Sequence, residues 1–191
     1  YALAWPDFEA ALQLDSTLLA GYRWRALSAY HLRKFELAAR DFDTAIKVKP
    51  NDAVAYVYRG FIKRDAGQTG DALADFDRAL ALRPNDATAL YARGRVYYLM
   101  GNFVRAQADL NLLVKIDPQH SGGHYYLGVM LYRGGAFDQA LNNLNQAVAI
   151  DPARAWGFYT RGLAYRKLHQ IDLARADFAH VIDLAPNTQL A

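Results

Sequence analysis

Residues 72–86 read ALADFDRALALRPND. Within this stretch Ala72, Phe76, Ala79, Leu80 and Leu82 recur at helical spacing, so they form the apolar stripe of an amphipathic helix. Pro84 stops that helix, because the residue before a proline avoids the α region. Asn85 and Asp86 then offer side-chain oxygens to cap a following helix. One helix, its stop signal and the start of the next are thus written in fifteen letters.

The same punctuation recurs on both sides. Pro50, Pro84, Pro118, Pro152 and Pro186 are each 34 residues apart. Two places before them stand Val48, Leu82, Ile116, Ile150 and Leu184, and twelve before stand Ala38, Ala72, Ala106, Ala140 and Ala174. Eight before stand Phe42, Phe76, Leu110, Leu144 and Phe178. A fixed period of this length is the mark of a repeat architecture. With the proline at position 32, five full repeats cover 19–52, 53–86, 87–120, 121–154 and 155–188, in one array spanning 1–191. Residues 1–18 are a partial repeat, with Ala4, Phe8, Ala11 and Leu14 in register and Ser16 in the proline slot, and 189–191 are a tail. The chain therefore reads as a piece of a longer protein.

Each repeat is expected to hold two helices, at about positions 2–14 and 18–31. Gly67, Gly101 and Gly135 end the first helix. A small residue on the first helix (Ala26, Gly60, Gly94, Gly128, Gly162) is expected to face the alanine of the second, letting the two approach closely.

These slots resemble the tetratricopeptide pattern W-x₂-L-G-x₂-Y…A-x₃-F…P. They hold Tyr56, Gly60, Ala72, Phe76 and Pro84 in one repeat, and Phe158, Gly162, Tyr165, Ala174, Phe178 and Pro186 in another. Position 7 departs from the pattern, with Arg for Leu in four of five repeats, and His124 replaces an aromatic. The resemblance implies an all-α fold, a right-handed α-solenoid of helix-turn-helix repeats, whose first helices line a concave groove for a partner segment. It implies a protein-protein interaction scaffold, not an enzyme, with no cofactor. It also places positions 2, 5, 9, 12 and 13 in that groove. The groove residues are then Arg23, Tyr30, Phe61, Arg64, Tyr91, Arg95, Tyr98, Tyr125, Tyr132, Arg133, Trp156, Tyr159, Arg166 and Lys167. The chaperone-binding branch of the family grips a C-terminal carboxylate with Lys, Asn and Arg at positions 5 and 9, and the asparagines are missing here.

Charge placement bears on the partner. The net charge is only +3, yet the first helices carry eleven basic residues against one acid, Asp65. The rest of the chain is correspondingly acidic, so the two faces of the array differ in sign. Part of this is structural. Arg25, Arg59, Arg93 and Arg161 occupy position 7 where Asp41, Asp75, Asp109 and Asp177 occupy position 23, and the fourth repeat replaces both with Leu127 and Asn143. Loss of both members together predicts an Arg–Asp pair between the two helices of a repeat. The remaining basic residues, interleaved with tyrosines, suit an acidic, partly apolar protein segment. Basic and aromatic interleaving also suits single-stranded nucleic acid, but the small net charge and the Asp-rich second helices argue against it. A regulatory or spacer segment of a larger enzyme is compatible with the scaffold reading.

Other chemistry finds little footing. The chain has no cysteine, which removes disulfides, thiolate metal sites and thiol nucleophiles. His120 and His124 have helical ligand spacing but no third ligand, so no metal is expected. No phosphate loop, HExxH or GxSxG motif occurs. No apolar run is long enough to cross a membrane. The compartment stays open between cytoplasm and periplasm, and the Arg-over-Lys bias points to a GC-rich bacterial genome. Phe178, Val181, Ile182 and Leu184 on the last helix predict self-association through an uncapped end.

Overall fold

The computed structural model describes residues 5–15 and 18–184. Ala4, Ser16, Pro186 and the 189–191 tail lie outside the described residues. Among the described residues the chain forms eleven α-helices: α1 (Trp5–Leu14), α2 (Leu19–His31), α3 (Phe35–Val48), α4 (Ala53–Asp65), α5 (Thr69–Leu82), α6 (Ala87–Leu99), α7 (Phe103–Ile116), α8 (Ser121–Arg133), α9 (Phe137–Ile150), α10 (Ala155–Lys167) and α11 (Ile171–Leu184). From α2 onward, helices of 13 and 14 residues alternate. Each starts about one residue earlier than the sequence pattern suggests.

The proline stops act as expected. The residues just before them, Lys49, Arg83, Asp117 and Asp151, leave the helix with φ between −130 and −139° and ψ between 80 and 87°. At the next start the Asp52 carboxylate accepts from the Ala55 N–H at 3.3 Å, and Asp86 accepts from Ala89 at 3.0 Å. Each such cap satisfies one of the orphan donors of a helix N-terminus. The turn after each first helix passes through the left-handed region at position 15. Gly67, Gly101 and Gly135 take it with φ of 77, 75 and 82°, whereas Arg33 and His169 take it with side chains in place, at φ 59 and 58°.

The chain divides into two compact units, residues 1–96 and 97–191, with the division inside α6. In the first unit Ala26, Ala38, Phe42, Ala45 and Ala55 form one buried cluster, and Ala72, Phe76, Ala92 and Val96 another. In the second, Ala140, Leu144 and Ala164 are buried together. The small residue at position 8 does not chiefly face the alanine of the second helix. A Cβ on Gly60 would stand 2.6 Å from the Phe76 ring, one on Gly162 2.7 Å from Phe178, and one on Gly128 2.6 Å from Leu144. The large residue of the second helix packs against the glycine, which is why that slot stays small. Position 3 repeats the device toward the preceding pair: a Cβ on Gly123 would meet Val114 at 2.9 Å, and one on Gly157 would meet Val148 at 2.9 Å.

Candidate functional site

The position-7 arginines come first, because they decide how much charge is left for a partner. Arg25 donates from Nε and Nη2 to both oxygens of Asp41, at 2.7 and 2.8 Å. Arg59 does the same to Asp75 at 2.9 and 2.5 Å, and Arg161 to Asp177 at 2.9 and 2.6 Å. The planar guanidinium fork matches the carboxylate, the geometry for which Arg outperforms Lys. The hydrogen bond to its aspartate raises each of these three arginines above its ordinary pKa. Arg93 falls in the first unit and Asp109 in the second.

The remaining nitrogen reaches the other way. Nη1 of Arg59 donates to Asp43 at 2.7 Å, Nη1 of Arg93 to Asp77 at 2.7 Å, and Nη1 of Arg161 to Asn145 at 3.0 Å. These acceptors sit sixteen residues before the arginine, on the second helix of the preceding pair. Arg59 and Arg161 therefore each tie three helices.

In the first unit some of the expected groove cations are already satisfied. Arg23 pairs with Asp52 at 3.3 Å and Arg64 with Asp65 at 2.7 Å, while Lys63, outside the expected groove set, pairs with Asp75 at 2.8 Å. Arg64 also lies over the Phe61 ring, 5.0 Å from its centroid. Tyr30 and Phe61 belong to an aromatic cluster: Tyr30 meets Tyr58 edge-on at 5.2 Å, and Phe61 meets Tyr58 and Phe76 at 5.7 Å each. Burial pushes the Tyr30 phenol up. Tyr91 and Arg95 are half-buried on α6, and the Arg95 Nε is enclosed without a hydrogen-bond partner among the described residues.

In the second unit the expected groove tyrosines are half-buried as well. Tyr98 packs on Tyr126 at 5.0 Å and Tyr126 on Tyr125 at 5.2 Å. Tyr132 is half-buried against Phe137. Burial raises the Tyr125 phenol, opposed by a hydrogen bond with Thr160. Trp156 is 57% exposed and touches Tyr159 edge-on. Arg133, Arg166 and Lys167 are exposed, with no ion pair among the described residues. Arg133 instead donates to the Tyr98 hydroxyl at 3.3 Å. On α11 Val181 is buried, while Ile182 and Leu184 remain exposed.

The two histidines have structural partners. His120 caps α8, its Nδ1 accepting from the Gly123 N–H at 3.0 Å. Burial lowers its pKa, which favours the neutral ring that this acceptor role requires. His124 reaches the Pro118 carbonyl with Nε2 at 3.1 Å, as the Tyr56 hydroxyl reaches Pro50 at 3.4 Å. It thus takes over the polar contact of the aromatic it replaces. No group of three or more metal-ligating side chains occurs among the described residues.

Comparison with known proteins bears on this pattern of paired helices. Family profiles described as TPR repeat match residues 62–101 and 128–168, and profiles described as Tetratricopeptide repeat match 87–120 and 157–188. Together they span more than half of the chain. The chain belongs to the tetratricopeptide repeat family. Its fold is all-α, of the solenoid class.

Solved tetratricopeptide structures agree on the fold. The crystal structure of YrrB, a TPR protein with an unusual peptide-binding site, is 22% identical, with a TM-score of 0.77 over 96% of this chain and 94% of that one. MamA from Desulfovibrio magneticus RS-1 (residues 41 to the end) is 22% identical, with a TM-score of 0.76 over 90% of this chain and 97% of that one. Another MamA structure is 20% identical, with a TM-score of 0.74 over 91% and 96%. No curated protein sequence matches the chain. Proteins of the tetratricopeptide family are in general scaffolds rather than enzymes. No helix among the described residues is long and apolar enough to cross a membrane.

Within this tetratricopeptide frame, the backward reach of the position-7 arginines was the main omission of sequence reasoning. Its signal was present: Asp43, Asp77 and Asn145 stand sixteen places before Arg59, Arg93 and Arg161. The capping role of His120 was also legible, since it fills the slot of Asp52 and Asp86.

Proposed function

We propose that this tetratricopeptide chain is a scaffold that takes up an acidic, partly apolar segment of a partner protein on the first-helix faces of its repeats. The observation that carries this reading is on α10. Trp156 is 57% exposed, and Arg166 and Lys167 on the same helix are exposed without a neutralising carboxylate among the described residues. An exposed tryptophan and unpaired cations at opposite ends of one helix suit a binding surface on which a rigid aromatic holds the complex and charge speeds encounter. Tyr98, Tyr125, Tyr132, Arg133 and Tyr159 extend the same chemistry over the second unit. Arg95 with Tyr91 contributes it in the first. There Arg23 and Arg64 are tied to carboxylates, and Tyr30 and Phe61 offer ring edges more than charge.

The test is fluorescence anisotropy with labelled peptides that alternate aspartate with leucine or phenylalanine. Peptides with lysine for aspartate and a single-stranded oligothymidylate serve as comparisons. The acidic peptides should bind best, and more tightly at low salt than at high. Preferential binding of the oligothymidylate, or equal binding of acidic and basic peptides, would overturn the reading.

A further inference from the structure

The turn that opens α7 differs from its counterparts in the chain. Leu99, Met100, Phe103 and Val104 are 67, 59, 41 and 82% exposed. The slot of Val104 holds Glu36, Gly70, Asp138 and Asp172 in the other repeats. A run of apolar side chains in water at a turn is costly and marks an interaction surface when contiguous.

Phe103 also walls an open, mainly apolar cavity of about 310 Å³. Gln107 closes it from α7, and Met130, Leu131, Gly134 and Ala136 from the end of α8 and the turn after it. Its volume lies at the lower limit for ligand pockets, enough for one bulky side chain rather than an extended ligand. Arg133 stands at the rim. Its guanidinium is 5.6 Å from the Phe103 ring centroid and donates to the Tyr98 hydroxyl. It makes no ion pair among the described residues, so a cation already held in place by a ring and a hydroxyl faces the mouth of an apolar hollow. Charge complementarity therefore specifies what fits: an apolar side chain with a carboxylate near it.

We propose that this cavity is an anchor site for a protein segment that inserts one Leu, Met or Phe side chain and sets an Asp or Glu carboxylate on Arg133. The inference rests on the scaffold reading only in taking a protein ligand. It puts the anchor at helix ends, beside the turns, rather than along the faces of α8 and α10. Affinity comes from apolar burial inside the hollow, and selectivity from the flanking acid.

Methyl and amide NMR of the full chain, titrated with the peptide acetyl-Gly-Phe-Asp-Asp-Gly-amide, tests it. Signals of Met130, Gly134 and Ala136 should move. Alanine for the peptide's phenylalanine should weaken binding roughly five-fold or more, as loss of an anchor does. Asparagine for both aspartates should weaken it too, and Arg133→Gln should erase the difference between the Asp and Asn peptides. Ala136→Leu, which fills the hollow, should abolish binding with an unchanged circular dichroism spectrum. Should that variant not fold, Arg133→Gln, at an exposed position, still decides. Equal binding of the phenylalanine and alanine peptides, shifts confined to Tyr125, Trp156 and Tyr159, or no shift at all would overturn the anchor. Shifts at Met130 and Ala136 without any at Trp156 would uphold it and count against the wider groove.

Discussion

Arg59 donates to Asp43 at 2.7 Å while its other two nitrogens hold Asp75, so one guanidinium spans two neighbouring helix pairs. The two ends are unequal. The Asp75 side chain is 5% exposed and that of Asp43 49%. The first contact is a desolvated pair and the second a surface one, and their removal should have different costs.

Arg59→Met leaves the Asp75 carboxylate buried beside Lys63 alone. It should destabilise the fold by about 3 kcal/mol, the low end for breaking a buried pair, because Lys63 still faces the carboxylate. Asp43→Ala should cost less than about 1 kcal/mol, as for exposed pairs. Urea denaturation of the two variants at low and high salt checks both numbers. The Asp43 contact should fade with salt and the Asp75 contact should persist.

Acid should weaken the α8 cap. Burial lowers the pKa of His120 in the folded chain, so the unfolded chain binds the proton more readily. The stabilisation is complete above the unfolded value near 6.5 and is lost as pH falls from there through the folded pKa. His120→Asn keeps an acceptor for the Gly123 N–H and does not titrate. Thermal melts should show the pH dependence below neutrality reduced in that variant and the stability at neutral pH nearly unchanged. A pH profile identical to that of the parent would contradict this.

Left-handed backbone at position 15 is carried by side-chain residues in two turns. His169→Gly should stabilise the chain by about 1 kcal/mol, because glycine adopts a positive φ without the Cβ clash. Arg33→Gly should act in the same direction unless its contact with the Phe35 ring offsets the gain. Gly101→Ala should cost about 1 kcal/mol by the same argument. Differential scanning calorimetry of the single variants resolves changes of this size.

Binding should separate ring from charge on α10. Trp156→Ala should weaken an acidic, apolar peptide by about 2 kcal/mol at every salt concentration, the cost of a hot-spot aromatic. Arg166→Glu should act mainly on the association rate and mainly at low salt. Stopped-flow fluorescence gives the two rates, and a salt-independent effect of Arg166→Glu would contradict the assignment.

Much of the fold was legible because its signals are periodic. The prolines from Pro50 to Pro186, the alanines from Ala38 to Ala174 and the Arg59–Asp75 spacing state the helix pairs and one contact between them. What periodicity does not convey is depth. It puts Gly60 on the inner face of its helix but not against the Phe76 ring rather than Ala72, because residues one turn apart share a face. Nor does it show which cations are already occupied. Arg23 and Arg64 look the same in sequence as Arg133 and Arg166, yet carboxylates from Asp52 and Asp65 neutralise the first two. Arg33 and His169 were invisible as left-handed residues because only glycine announces that conformation.

The arginine tie is interrupted once inside the second unit. Where it would join α8 to α7, Leu127 stands buried, and the contact is made by Gly123 lying against Leu113 and Val114. The chain thus contains joints of two thermodynamic kinds. Those at Arg59 and Arg93 are partly electrostatic and loosen with ionic strength. The joint between α7 and α8 is dispersive and hydrophobic, indifferent to salt and weakened by cooling. Cold and salt should therefore soften the same array at different places, so that the point of easiest bending is chosen by the solution rather than fixed by the sequence.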